Sequence, residues 1–297
     1  MSLMTITVLN TAEGMAAVLD SPTSLRPEKL RGVLEPVRGM YRYFPGEVDL
    51  MAMHEMSSGF PLEARADEVR NALDRLGAAG AWERVERALV DAIDVQLRAT
   101  PDIEVPDITV LLMLGNPDDD YFMGPGRGFS GNGSATGFLS LTVWPTAENI
   151  NRLEAAAVHE LNHNLRYAPG GVVWDPSTVR VGEQVVSEGL ADAFARQMYG
   201  ASGYTPIGVP HLGNDGVFNK VVSGLDVLGM QNFVSWVHGD DAARRFGADA
   251  VGLPTGAGYA AGNRIVDAYL NTTGTSAAEA LHVSSSRIID IALESQR

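Results

Sequence analysis

The chain has 297 residues, 45% apolar and 20% charged, the proportions of an ordinary globular protein with room for one sizeable core or two lobes. Its formal net charge of −15 weighs against nucleic acid and anionic membrane surfaces as partners, and lysine is confined to Lys29 and Lys220. The absence of Cys excludes disulfides and thiolate ligands, so any metal has to be held by His, Asp or Glu.

From the N-terminus, residues 4–9 read as a short strand and Thr11 to Leu19 as a helix. Pro27 to Phe44 carries Leu30, Val33, Leu34, Val37 and Tyr41 at helical spacing, with Pro36 expected to break or kink it. His54-Glu55 opens a metal-binding motif that Ser58 fails to complete, so His54 is read as structural. Residues 64–77 and 80–98 form two amphipathic helices joined at Gly77-Ala-Ala-Gly80, and Trp82, Val85, Leu89, Ile93 and Leu97 mark the buried face of the second. Ala99-Thr-Pro101 closes this section. It places a border near residue 100 between an N-terminal helical subdomain (1–100) and the rest (101–297).

Asp107 to Leu114 is the clearest strand. Asp118, Asp119 and Asp120 lack the alternating spacing of a calcium loop and read as a solvated turn. The glycine-rich run 124–137 has neither Gly-Lys-Ser/Thr nor a Rossmann unit around it, so it is read as a mobile loop rather than a phosphate cradle. Phe138 to Trp144 alternates as a second strand.

The next stretch carries the chemistry. Thr146 after Pro145 is a plausible N-cap, and Pro169-Gly170-Gly171 stops the helix that follows. Within it, His159-Glu160-Leu161-Asn162-His163 places two imidazoles one turn apart on one face, able to share an ion. Glu160 lies about 100° round from His159 and about 60° from His163, beside that ion, where it can take a proton from a metal-bound water. Ile150, Leu153, Ala157, Leu161 and Leu165 form the apolar stripe opposite. A catalytic zinc needs a third protein ligand. On a second helix, from about Gly182 to Tyr199, Glu188 and Asp192 share a face, and Gly189 removes a side chain where two helices have to approach. A carboxylate on that face can accept the second ring N–H of a ligand histidine.

Beyond Tyr199, helices are expected near 216–228, 230–238, 240–246, 259–270, Ser276–Leu281 and Ser285–Leu293. Tyr259 at a helix start can carry its hydroxyl to a developing oxyanion, with His211 and His238 as weaker rivals.

His159-Glu160-x-x-His163 followed by Glu188-x-x-x-Asp192 resembles the gluzincin zinc metallopeptidases. The closer resemblance is to the predicted zinc-dependent proteases of domain of unknown function 2268, the YjaZ-like proteins, over roughly residues 105–295. The strand before the motif, Ser187-Glu188-Gly189-Leu190-Ala191-Asp192-Ala193-Phe194-Ala195 and the later Gly258-Tyr259-x-x-Gly262 carry it. The resemblance implies zinc held by His159, His163 and Glu188, Glu160 as general base and Asp192 as the partner orienting a ligand. It also implies a strand at the sheet edge beside the active-site helix, there residues 138–144. No Gly-x-x-His follows His163, so the metzincin pattern fits poorly, and thermolysin's Asn before the ligand Glu is Ser187 here. The expected fold is α+β, mostly helical, a zincin-like catalytic domain with a small sheet beside the active-site helix and a helical C-terminal lobe. The expected function is a zinc-dependent peptidase acting on a peptide or protein substrate. The rival reading is a non-catalytic binding module with a structural or vestigial metal. No leader peptide or membrane-length apolar run is visible, so a cytoplasmic protein is expected.

Overall fold

A computed structural model describes residues 4–44 and 46–295. The fold is α+β and mostly helical, with one four-stranded mixed sheet. Strand β1 (Ile6–Val8) precedes α1 (Thr11–Asp20), α2 (Arg26–Leu34), α3 (Leu50–Met56), α4 (Ala66–Ala78) and α5 (Ala81–Ala99). Then come β2 (Ile108–Leu114), α6 (Asp120–Met123), β3 (Phe129–Asn132), β4 (Phe138–Val143), α7 (Ala147–Asn151) and α8 (Leu153–Arg166). The remaining helices are α9 (Val181–Tyr199), α10 (Asp215–Val222), α11 (Asp240–Phe246), α12 (Ala257–Thr273) and α13 (Ser285–Glu294). Among the described residues, no helix is long and apolar enough to cross a membrane.

Two compact units result: Met1–Asp91 with Val105–Asn164, and Ala92–Glu104 with Leu165–Arg297. Helices α5 and α8 each run unbroken from one unit into the other.

The first unit holds the sheet, in the order β1-β2-β4-β3. β1, β2 and β4 are mutually parallel, and β3 pairs antiparallel with β4, Gly131 opposite Leu141. β2 is buried almost throughout, as its unbroken Ile-Thr-Val-Leu-Leu-Met-Leu run requires of a central parallel strand. As expected, the α2 helix fails at Pro36: it gives way at Leu34 to a 3₁₀ segment, Glu35–Tyr41, since proline brings no N–H to the ladder.

Two expectations fall here. The strand of residues 138–144 is not at the sheet edge; β4 lies between β2 and β3, and the edge strands are β1 and β3. β3 also lies inside the run read as a mobile loop. That run is held by two buried asparagines. Asn149 Nδ2 donates to the carbonyls of Arg127, Gly128 and Trp144 at 3.0, 3.0 and 2.9 Å. Asn164 Nδ2 donates to the carbonyls of Gly133 and Phe138 at 2.8 and 2.7 Å, and its Oδ1 accepts from the Gly137 N–H at 2.9 Å. Thr146 caps α7 as expected, accepting from the Asn149 N–H at 3.1 Å. One helix was expected from there to the Pro169 stop; instead the backbone turns at Arg152 and a new helix, α8, begins.

The second unit is built round α9, buried from Val181 to Ala195. Gly189 meets α12 at Gly262: a Cβ on Gly189 would lie 2.2 Å from the Gly262 carbonyl oxygen, and one on Gly262 2.2 Å from the Val185 carbonyl oxygen. This close approach is the one the sequence assigned to Gly189. Ser276–Leu281 is a series of turns rather than the expected helix. The Leu281 and Val283 carbonyls, which a continuing helix would use, instead accept from the buried Arg166 guanidinium.

Two outcomes follow from this packing. Gly262→Ala puts a methyl against backbone on two sides, so urea unfolding should show a loss of about 1–3 kcal/mol. Gly77→Ala, with open space at its Cβ, should instead gain up to about 1 kcal/mol; equal effects would remove the close-approach argument. His54 is buried and its Nε2 donates to the Phe60 carbonyl at 2.9 Å; burial holds its imidazole below the ordinary value of 6.5. The unfolded chain therefore takes up a proton near pH 6.5 that the folded ring resists. Stability is full above that pH and declines as pH falls toward the lowered folded value. The thermal midpoint of His54→Gln should fall less between pH 7.5 and 5.5 than that of the wild type, and parallel declines would exclude His54 as a source.

Candidate metal centre

In the first unit, α8 presents two faces. His159 and His163, one turn apart, are both buried, with Nε2 atoms 3.1 Å from one another. A tetrahedral zinc with ligand bonds of about 2.0–2.1 Å holds neighbouring donors about 3.3 Å apart, so the two imidazoles are already at chelating distance. Their rings meet edge to face, centroids 4.8 Å apart. Glu160 and Asn164, also one turn apart, share the adjacent face, which lies against β3 and the segment after it. A Cβ on Gly131 would stand 2.0 Å from Glu160 Oε1, and one on Gly133 would stand 1.9 Å from the Glu160 carbonyl oxygen.

In the second unit, Glu188 and Asp192 point into the protein rather than forming a solvated stripe: Glu188 is 6% exposed and Asp192 fully buried. Asp192 accepts three hydrogen bonds, from the Thr205 N–H (3.0 Å), Thr205 Oγ1 (2.7 Å) and Asn263 Nδ2 (2.7 Å). Sequence reasoning missed Asn263, which sits on α12 one turn after Tyr259. Its amide also donates to the Tyr259 carbonyl at 2.9 Å, so it ties the start of α12 to Asp192.

Tyr259 is buried in the first turn of α12, its ring 5.7 Å from that of His238. His238 ends a π-helical turn, Val234–His238, and stacks edge to face on Phe233 at 4.7 Å. Burial holds its imidazole below the ordinary range against the opposing pull of the Glu188 carboxylate. His238 is thus gathered with Glu188 and Tyr259, while His211 lies on a separate 3₁₀ turn, Val209–His211.

Where α8 ends and α9 begins, Arg166 is fully buried and forks onto Glu183, at 2.8 and 2.9 Å. Tyr167 donates to the same carboxylate at 3.0 Å, and burial pushes its phenol far above the ordinary range. Glu183 lies five residues before Glu188 on α9, and Arg166 three after His163 on α8. The fork therefore joins the last residue of α8 to the first turn of α9. A bidentate, fully enclosed pair is strongly destabilised when one partner is lost.

One donor atom each from His159, His163 and Glu188, all buried, lie within 4.8 Å of one another, a group found among the described residues that could hold a metal ion. Two imidazoles and a carboxylate are a zinc donor set, and with no Cys in the chain none of the softer thiolate sites is available.

Comparison with known proteins shows the family. The family described as predicted Zn-dependent protease, domain of unknown function 2268, matches residues 81–290, starting upstream of the region from 105 where the resemblance was expected and taking in all of α5. An uncharacterized protein of Bacillus subtilis (strain 168), YjfC, is 28% identical over 229 residues, 75% of this chain and 74% of its own. No solved structure matches. With both histidines, Glu160, Glu188 and Asp192 inside the matched span, this chain belongs to the family of predicted Zn-dependent proteases.

Proposed function

We propose that this protein is a zinc-dependent peptidase of gluzincin type and zincin-like fold, in which His159, His163 and Glu188 hold the metal. The observation that carries this reading is the buried group of two imidazoles and a carboxylate gathered within 4.8 Å. Buried ionisable groups are expensive unless paired or coordinated, and a divalent cation is a centre that two imidazoles and a carboxylate can coordinate together. When bound there, zinc would supply Lewis acidity, lowering the pKa of a water toward neutrality and polarising a carbonyl.

The chain's own residues account for the other steps. Glu160, beside the ligand pair and seated against β3, takes the proton from the attacking water and delivers it to the leaving amine nitrogen. Tyr259 donates its hydroxyl to the oxygen of the tetrahedral species, with His238 next to it as the second donor available from the same region. Asp192, held by Thr205 and Asn263 on the same helix face as Glu188, is assigned as the acceptor for the second ring N–H of a ligand histidine. An extended peptide substrate would add to the sheet at the edge strand β3. A structural metal has no need of a carboxylate in the position of Glu160, which is what favours catalysis over a binding module.

Two substitutions test these roles separately. Glu160→Gln should keep stoichiometric zinc while kcat on peptides released from a library digest falls by about 10²–10⁴; turnover at the wild-type rate would remove Glu160 from the chemistry. Glu188→Ala should leave the purified protein short of zinc and weaken its hold against a competing chelator by at least about 10-fold, a bound set by the effect of losing even an outer-shell partner. Full retention of zinc would strike Glu188 from the ligand set.

A further inference from the structure

Gly131, on the edge strand β3, belongs to no motif of the family resemblance, yet it lies directly against Glu160. An added Cβ there would lie 2.0 Å from Glu160 Oε1, 2.5 Å from its Cδ and 2.8 Å from its Cγ. The carboxylate therefore rests on bare strand backbone, in space that every other amino acid would fill. Gly133, just past the end of the strand, touches something different. Its added Cβ would strike the Glu160 carbonyl oxygen, carbon and Cα at 1.9, 2.6 and 3.0 Å, all helix backbone.

The strand cannot back away from either contact. β3 is paired to β4 from Phe129 to Asn132. Asn149 grips the backbone just before it, at Arg127 and Gly128. Asn164, one turn from Glu160 on α8, grips the backbone just after it, at Gly133. The strand backbone is thus held on both sides of position 131, by Asn149 of α7 before it and by Asn164 of α8 after it.

We propose that Gly131 is a positioning residue for Glu160: the missing side chain sets where the proton-transferring carboxylate sits. This deepens the peptidase reading and rests on it. The two glycines then separate fold from function. A methyl at 131 meets the far end of a flexible side chain, which can swing to another rotamer at little expense to folding. A methyl at 133 meets main chain, which cannot. Gly131→Ala should therefore leave the protein folded and its zinc in place, with Glu160 displaced. A misplacement on the order of 1 Å in a catalytic group is enough for about 10²-fold in rate.

The experiment compares zinc-loaded wild type, Gly131→Ala and Gly133→Ala. For Gly131→Ala the expected result is a thermal midpoint and a zinc affinity, from chelator competition, close to the wild type. With a peptide identified by library digest, kcat should fall by about 10²-fold while KM stays within about twofold. Gly133→Ala should instead lose thermal stability. A crystal structure of Gly131→Ala supplies a readout independent of turnover and should show the Glu160 carboxylate moved off its wild-type position. An unmoved carboxylate, kcat within about twofold of wild type, or a loss of zinc equal to the loss of rate would each overturn the proposal. If fully zinc-loaded wild type cleaves no peptide, the peptidase reading fails on its own, and the position of the carboxylate in the variant still decides whether Gly131 seats it.

Discussion

A carboxylate, two imidazoles and a second acid are withdrawn from water inside two helices, and the rest of the structure has to make that tolerable. Burying such groups without partners costs several kcal/mol each, a large fraction of what keeps a domain folded. The chain meets this with polar side chains at fixed distances. Asp192 is enclosed by Thr205 and Asn263. Glu183 is enclosed by Arg166 and Tyr167. Glu188 shares its surroundings with two histidines at chelating separation. That buried group is consistent with a metal site, and a metal bound there would couple its binding to stability.

The supporting frame is as specific as the ligands. α9 is buried over four turns, so it contributes its acids only if its neighbours come close without blocking them. Gly189 against Gly262 permits that approach, and Asn263, the next residue of α12, reaches Asp192 because the two backbones are so near. On α8 the same logic runs in reverse: Glu160 has a seat because β3 offers glycine where a side chain would stand. Both ligand helices thus depend on side chains that are absent as much as on those present.

That dependence explains what could be read from the sequence. His159, Glu160 and His163 were legible because their geometry is local: four residues of helix put two rings on one face whatever surrounds them. Glu188 and Asp192 were legible through the same spacing rule, helped by the resemblance, and the helices carrying strong apolar stripes fell within a few residues of their expected bounds. The edge strand β3 was not legible. Phe129-Ser-Gly-Asn132 has no alternating apolar pattern, and glycine-rich composition favours a loop on local grounds alone. It is a strand because of partners far away in sequence: β4 beside it, α8 across it, and Asn149 and Asn164 at its ends. Ser276–Leu281 forms turns instead, and its Leu281 carbonyl accepts from Arg166, more than a hundred residues earlier in the chain.

Glycine illustrates the limit most sharply. Propensity treats every glycine alike, as a weak point in a helix or strand, and the chain has 32 of them. Their surroundings divide them into kinds that propensity cannot see. Gly32 and Gly77 face open space and contribute nothing that alanine would not improve. Gly189, Gly262 and Gly133 are held against backbone and belong to the fold. Gly131 is held against the reactive end of one glutamate and belongs to the chemistry. Which kind a glycine is depends on what the missing Cβ would touch, and that atom comes from another part of the chain in every case that matters here. A motif written only in the residues that act leaves out the positions whose emptiness lets them act.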